Sequence, residues 1–243
     1  RNERLSQGGG PGIPRPKVTQ QMTDTAPEHI HSASSPRAAV VVAHPDDETL
    51  WAGGLILSLT RYDWFIASLC RASDPDRSPK FSSILRCYQA RGAMADLDDG
   101  PDQSPLPAGL VEREILRLLP GRAYDLIVTH APRGEYTRHR RHEEVSRAVT
   151  SLWESGRIEA HNLYLFAYDD SRGVHLPRAI PAANRIMALP QQLQAEKYRL
   201  ITQVYGFAPA SWEARTTPTT EAFWCFESPA EYHSWLARPG AQT

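Results

Sequence analysis

The chain has 243 residues, 41% hydrophobic and 23% charged, with a formal net charge of −1. That balance suits a globular domain and gives no electrostatic reason to expect nucleic acid or an anionic membrane as partner. No apolar run approaches the ~20 residues that span a bilayer, and three cysteines without a Cys-x-x-Cys pair (Cys70, Cys87, Cys225) argue against a disulfide scaffold or zinc knuckle.

Residues 1–36 hold Gly8-Gly9-Gly10-Pro11-Gly12 and further prolines, with low hydrophobicity and no periodicity. This predicts a flexible tail ahead of a single domain over 37–243. No apolar signal block follows Arg1, so the expected compartment is the cytoplasm. Ala38–Ala43 is a continuous apolar run of strand length, as in a strand buried on both faces of a parallel sheet. A helix is expected over Thr49–Leu59, a strand over Trp64–Leu69 and a helix over Ser82–Ala95. Val111, Ile115, Leu118 and Leu119 repeat at helical spacing before Pro120-Gly121. Tyr124–Thr129 is the next buried strand. Val145, Ala148, Val149, Leu152 and Trp153 form the cleanest amphipathic stripe, ending at Gly156. A strand over Leu163–Tyr168 and a helix from Pro190 to Gly206 follow. The remaining segment is rich in aromatics (Trp212, Phe223, Trp224, Phe226, Trp235), which are expected to pack as core and lid.

Alternating strands and helices imply right-handed βαβ crossovers and a Rossmann-like three-layer α/β sandwich with a mostly parallel sheet. Ligands of such sheets bind at the carboxyl ends of the strands. The chemistry should therefore follow Ala43, Leu69, the Asp96 region and Thr129.

After the first strand stands His44-Pro45-Asp46-Asp47-Glu48, where a dinucleotide-binding chain would carry G-x-G-x-x-G. One imidazole and three carboxylates at a strand-to-helix corner concentrate negative charge that calls for a cation. After Thr129 come His130, then Gly134-Glu135-Tyr136, then His139-Arg140-Arg141-His142. His142 falls on the buried stripe of its helix, and His139 lies one turn earlier on the same side. Two imidazoles and carboxylates meeting in a cleft make a catalytic type of metal site, with a position open to water.

These two motifs, in this order and on these elements, resemble the LmbE/PIG-L family of zinc-dependent N-acetylglucosamine deacetylases over about Ala38 to Tyr168. The resemblance implies a Rossmann-like fold and removal of an N-acetyl or N-acyl group from an amino-sugar conjugate by metal-activated water. It implies that His44, Asp47 and His142 bind zinc, that Asp46 is the general base, and that His139 stabilises the oxyanion or donates a proton. Iron(II) suits the same His₂-carboxylate set. The chain departs from the family between the histidines, where Arg140-Arg141 replace the common Pro-Asp, and after Tyr136, where Thr137-Arg138 add a residue.

Arg71, Asp74 and Tyr136 are the expected substrate contacts, with Asp98 and Asp99 weaker ones; Asp74 also reads as the cap of its own turn. His130 is expected to hydrogen-bond a loop, Cys70 to be a small buried residue, Arg140 and Arg141 to form a solvated face balancing Glu143 and Glu144, and Glu48 to favour the helix N-terminus. The expected partner is a small amino-sugar conjugate. Competing readings are a deacylase of a glycosylated natural product, such as a glycopeptide antibiotic precursor, and a catalytically idle sugar-binding module.

Overall fold

The computed structural model describes residues 35–238; the tail expected over 1–36 lies outside them but for its last two residues. Nine strands are described: β1 Arg37–Val42, β2 Asp63–Ser68, β3 Arg91–Met94, β4 Ala123–Thr129, β5 Glu159–Phe166, β6 Tyr168–Asp169, β7 Arg178–Ala179, β8 Arg185–Ala188 and β9 Thr220–Phe226. The helices are α1 Asp47–Ser58, α2 Arg77–Tyr88, α3 Ala108–Leu118, α4 Arg140–Glu154, α5 Gln191–Arg199, α6 Trp212–Thr216 and α7 Pro229–Leu236. Seven strands form one sheet in the order β3-β2-β1-β4-β5-β9-β8; β6 and β7 form a separate hairpin. The first five strands are parallel, and β9 and β8 add antiparallel at one side. This is the expected three-layer α/β sandwich.

Strand β1 shows why an unbroken apolar run marks a central strand. Ala39 and Val41 face a core shared with α3, α4 and α7, while Ala38, Val40 and Val42 face one built from α1, α2 and the segment after α5. Both faces are dry, so the period-two alternation disappears from the sequence. Chain order reverses at β1: β2 and β3 lie to one side, β4 and β5 to the other. The crevice between the carboxyl ends of β1 and β4 is therefore the switch point at which doubly wound sheets bind ligands.

Two expectations need correction. The helix expected over Ser82–Ala95 ends at Tyr88; Gln89 turns left-handed (φ 53°), and Arg91–Met94 is the edge strand β3. This strand is short and contains Gly92, whose missing side chain lets the Ile66 carbonyl of β2 approach to 2.5 Å of the Cβ position. Four residues without a β-branched one carry no strand signal. The helix from Pro190 is α-helical only to Arg199 and continues as a π-helical turn over Leu200–Val204. The aromatic segment forms β9 and α7, in which Phe223, Trp224, Phe226 and Trp235 are buried, the core packing expected of them.

Lys197 and Glu221 form a wholly buried ion pair at 2.7 Å. The same Glu221 carboxylate accepts the N–H groups of Gly54 (2.7 Å) and Leu55 (2.8 Å), so one anion ties α5 and β9 to the backbone of α1. No helix among the described residues is long and apolar enough to cross a membrane. Removing one partner of such a pair strands the other charge in the core. Lys197→Met should lower unfolding free energy by ~3–5 kcal/mol in urea titration, whereas Arg117→Met at the exposed pair with Glu114 should cost ~1 kcal/mol or less.

Candidate active site

Helix α1 opens at the carboxyl end of β1, so Asp47 and Glu48 stand in its first turn, where the helix dipole favours anions. Asp46 precedes it at φ 121°, a conformation a non-glycine residue holds only when its surroundings over-determine it. Here its N–H donates to Glu48 Oε2 (3.1 Å), and its carbonyl accepts from Thr49 and Leu50 (3.0 and 2.8 Å). Glu48 is fully buried and also accepts from Thr49 Oγ1 and Tyr205 Oη, so it braces the corner rather than facing the cleft.

His44 Nδ1, Asp47 Oδ2 and His142 Nε2 form a nearly equilateral triangle with edges of 3.2, 3.2 and 3.3 Å. Each member is oriented from behind. The Trp51 indole N–H holds Asp47 Oδ1 at 3.1 Å, leaving Oδ2 in the triangle. His44 Nε2 bonds Asp99 Oδ1 at 3.1 Å, and His142 Nδ1 bonds Glu135 Oε2 at 2.6 Å. With those nitrogens carrying the protons, the lone pairs of His44 Nδ1 and His142 Nε2 point at one another and at a carboxylate. Ligands at 2.0–2.1 Å on a tetrahedral zinc lie about 3.3–3.4 Å apart, so the triangle has the size of one face of that tetrahedron. The donor set fits a divalent metal.

The electrostatics agree. Burial alone would lower the His142 pKa, but the carboxylates of Asp47 and Glu135 overcome it and raise it to about 10. Asp47 has the opposite balance: burial opposes its charge, and His142, with further histidines, holds its pKa well below the usual carboxylate range. The pocket thus demands positive charge beside Asp47. Asp46 is pushed well upward, by burial first and then by the Asp47 charge, with Arg77 opposing at 3.3 Å.

Helix α4 supplies His139 at its N-terminal boundary and His142 within its first turn. The His139 ring stacks on His142 (centroids 4.5 Å apart, 25° between planes) and meets His44 edge-on at 4.5 Å. Its Nδ1 is buried with no hydrogen-bond partner among the described residues. Burial, together with the neighbouring imidazoles, lowers its pKa to about 3, so the ring is neutral near pH 7. Its ligand atom also lies within 4.8 Å of those of His44 and His142.

Two residues gain roles that the sequence reading missed. Glu135, quoted there only as part of a motif, accepts from His142 Nδ1, from His130 Nδ1 (2.9 Å) and from the Ala131 N–H (3.0 Å). Burial opposes its charge, and the two histidines bring its pKa down to about 2. His130 Nε2 accepts the Ala43 N–H at 3.0 Å, so the ring bonds loop backbone as expected and also pins β4 to the end of β1. Asp99 is the other residue undervalued: it faces the cavity and bonds His44, Arg71 (2.8 Å) and Gln103 (2.8 Å).

The cavity over this site encloses ≈ 350 Å³ and is lined by His44, Pro45, Asp46, Asp47 and His139 together with Leu50, Arg71, Arg77, Asp99, Tyr136, Trp212 and Glu213. Arg71 and Tyr136 therefore lie where expected. Asp98 does not: its side chain is 64% exposed and lies 3.5 Å from Arg141. Asp74 is the cap of its own turn, accepting the N–H groups of Asp76 and Arg77 (both 2.9 Å), and does not line the cavity. Arg141 is not solvated but 1% exposed; it bonds the carbonyls of Asp98 and Ser104 and the carboxylate of Glu144, fastening the loop that carries Asp99 to α4. Arg138 takes a positive φ of 23°, and Thr137 is tied to Asp170 by two 2.7 Å bonds. Tyr136 and His139 both line the cavity. Cys70 is buried as expected, and all three cysteines are free.

No protein-family model matches the chain. Among solved structures, the zinc-inhibited form of teicoplanin deacetylase matches with a TM-score of 0.56 at 13% identity, over 79% of this chain and 99% of that one. The N,N′-diacetylchitobiose deacetylase of Pyrococcus horikoshii matches with a TM-score of 0.54 at 14% identity, over 79% and 84%. The 4-carboxy-2-hydroxymuconate hydratase of Pseudomonas putida KT2440 matches with a TM-score of 0.53 at 16% identity, over 74% and 83%. The chain thus shares its fold with deacetylases and with a hydratase.

Because Glu135 holds His142 Nδ1 and leaves Nε2 facing Asp47, Glu135→Gln should weaken divalent-metal binding by ~10–100-fold. Competition with a chromophoric chelator measures this, with far-UV circular dichroism unchanged.

Proposed function

We propose that this chain is a metal-dependent N-deacetylase acting on an amino-sugar conjugate, with His44, Asp47 and His142 holding a zinc ion. The observation that carries the reading is the triangle of ligand atoms at 3.2–3.3 Å with a carboxylate, Asp46, beside it on the same cavity wall. A fold shared with both deacetylases and a hydratase leaves the chemistry to the site. The resemblance of His44-Pro45-Asp46-Asp47-Glu48 and of the Gly134–His142 segment to the LmbE/PIG-L deacetylases supports hydrolysis of an amide.

When bound, the metal would polarise the acetyl carbonyl and make a water acidic enough to lose its proton near neutral pH. Asp46 is placed to take that proton. Its carboxyl is driven toward proton affinity by burial and by the Asp47 charge, and Arg77 holds it in position. The proton then passes from Asp46 to the departing amine, since His139 is neutral and has no acidic proton to give. His139 acts instead as a hydrogen-bond donor to the developing oxyanion, from a preorganised place against His142. Arg71 and Asp99, paired at 2.8 Å, offer a donor and an acceptor to sugar hydroxyls beside the reacting corner. Nothing in this arrangement calls for a nucleophilic side chain, and Cys70 is buried with its thiol pKa pushed up.

Asp46→Asn should retain the metal and lower turnover a hundredfold or more, as expected for a lost base; full activity in this variant would place the base elsewhere. His142→Ala should lose the metal, read by elemental analysis of the purified protein. Acetate released from N-acetylglucosamine conjugates by protein carrying about one zinc per chain is the direct test; metal bound without release from any of them counts against the reading.

A further inference from the structure

Among the described residues four large apolar side chains are exposed: Val174, Ile186, Tyr198 and Trp212. Only Trp212, 37% exposed, lines the cavity over the reacting corner. It opens α6, where Ser211 Oγ accepts the Ala214 N–H and fixes the helix start. Its indole leans on two rings that belong to the site: Tyr136 at 4.8 Å and Trp51 at 6.4 Å, both steeply inclined to it. Tyr136 in turn lies 5.4 Å from the His142 ring. Trp212 is thus one aromatic ring removed from the ligand triangle, at the outer wall.

The next residue, Glu213, lines the same cavity, and its side chain makes no hydrogen bond or ion pair among the described residues. Cations are near, but Arg71 is committed to Asp99 and Asp74, and Arg77 to Asp46 and to the face of Phe207 at 4.5 Å. An uncommitted carboxylate beside a partly exposed indole is a poor neighbour for an acyl chain or lipid, which would desolvate it without giving it a donor. A hydroxylated ring satisfies both groups, laying its C–H face on the indole and donating hydroxyl protons to the carboxylate. The cavity volume, ≈ 350 Å³, is in the range that holds a whole small ligand rather than an acetyl group alone.

We propose that Trp212 and Glu213 form an outer subsite that takes a second, hydroxyl-bearing sugar ring of the substrate, a reading that rests on the amino-sugar deacetylase function proposed above. The ring carrying the acetamide sits at the reacting corner with Arg71 and Asp99, and the next ring stacks on Trp212. The subsite determines which conjugate is preferred and takes no part in breaking the amide.

The test separates binding from chemistry. Calorimetric titration uses two probes that are not turned over, D-glucosamine and its β-1,4-linked disaccharide. The disaccharide is expected to bind the unmodified chain about tenfold more tightly, the scale of one good aromatic contact. Trp212→Ala should erase that advantage while leaving glucosamine affinity within about twofold, Trp212→Phe should restore part of it, and Glu213→Gln should weaken the disaccharide alone by a few fold. No advantage for the disaccharide, no binding of either sugar, or an equal loss for both in Trp212→Ala overturns the proposal. Acetate release from N-acetylated conjugates is measured in parallel. The expected binding pattern without any release sustains the subsite and removes the deacetylase reading, whereas release without a ring preference does the reverse.

Discussion

Two imidazole nitrogens and a carboxylate oxygen within 3.2–3.3 Å of one another require a positive charge, a proton or a metal ion, among them. Most of what surrounds the site follows from that constraint. The far nitrogens of His44 and His142 must be held in place, and the Asp99 and Glu135 carboxylates do this. The second oxygen of Asp47 must be occupied, and the Trp51 indole occupies it. These supporting groups need supports of their own. Glu135 is shared with His130, which is joined to the end of β1, and Asp99 rides on a loop that the buried Arg141 fastens to α4. A geometry so over-determined can hold Asp46 at a backbone angle that a free chain would avoid.

Five carboxylates crowd this corner, and burial divides their labour. Glu48 is sealed behind the helix start by hydroxyl donors, Glu135 is kept ionised by two histidines, and Asp99 is kept ionised by His44, Gln103 and Arg71. Asp47 faces the histidines. Asp46 alone combines access to the cavity with a raised proton affinity, so adjacent residues of the same type differ by environment rather than by chemistry. Arg141 follows the same logic. It spends its charge on loop carbonyls and Glu144, and His139 is left without a carboxylate partner and stays neutral.

The distant ends of the fold matter through α1. This helix carries Asp47 at its start and is gripped at its middle by Glu221, itself neutralised by Lys197. An apolar substitute would fill the space, but only an anion can bond two helix N–H groups and a lysine at once. The ion pair fixes where α1 lies against β9, and so where the ligand corner points. The same region of the chain sends Trp212 back over the cavity, joining the outer wall to His142 through Tyr136.

By itself the sequence determined the parallel α/β sandwich, the corners at which its chemistry sits, and the residues His44, Asp46, Asp47, His139 and His142 that meet there. These are carried by local patterns: apolar runs for strands buried on both faces, a helical stripe that includes His142, and polar motifs that fall at strand ends. Only the tertiary structure decided which acidic neighbour of a pair faces inward, Asp99 over Asp98, and which side chain orients His142. It also decided that Arg141 is buried and that, of the three C-terminal tryptophans Trp212, Trp224 and Trp235, Trp212 is the one lining the cavity. Each of these depends on contacts between residues far apart in the chain, such as Arg141 with Ser104 or Tyr136 with Trp212. Spacing along the chain carries no information about such contacts, because the direction of a side chain in a loop is set by what packs against it.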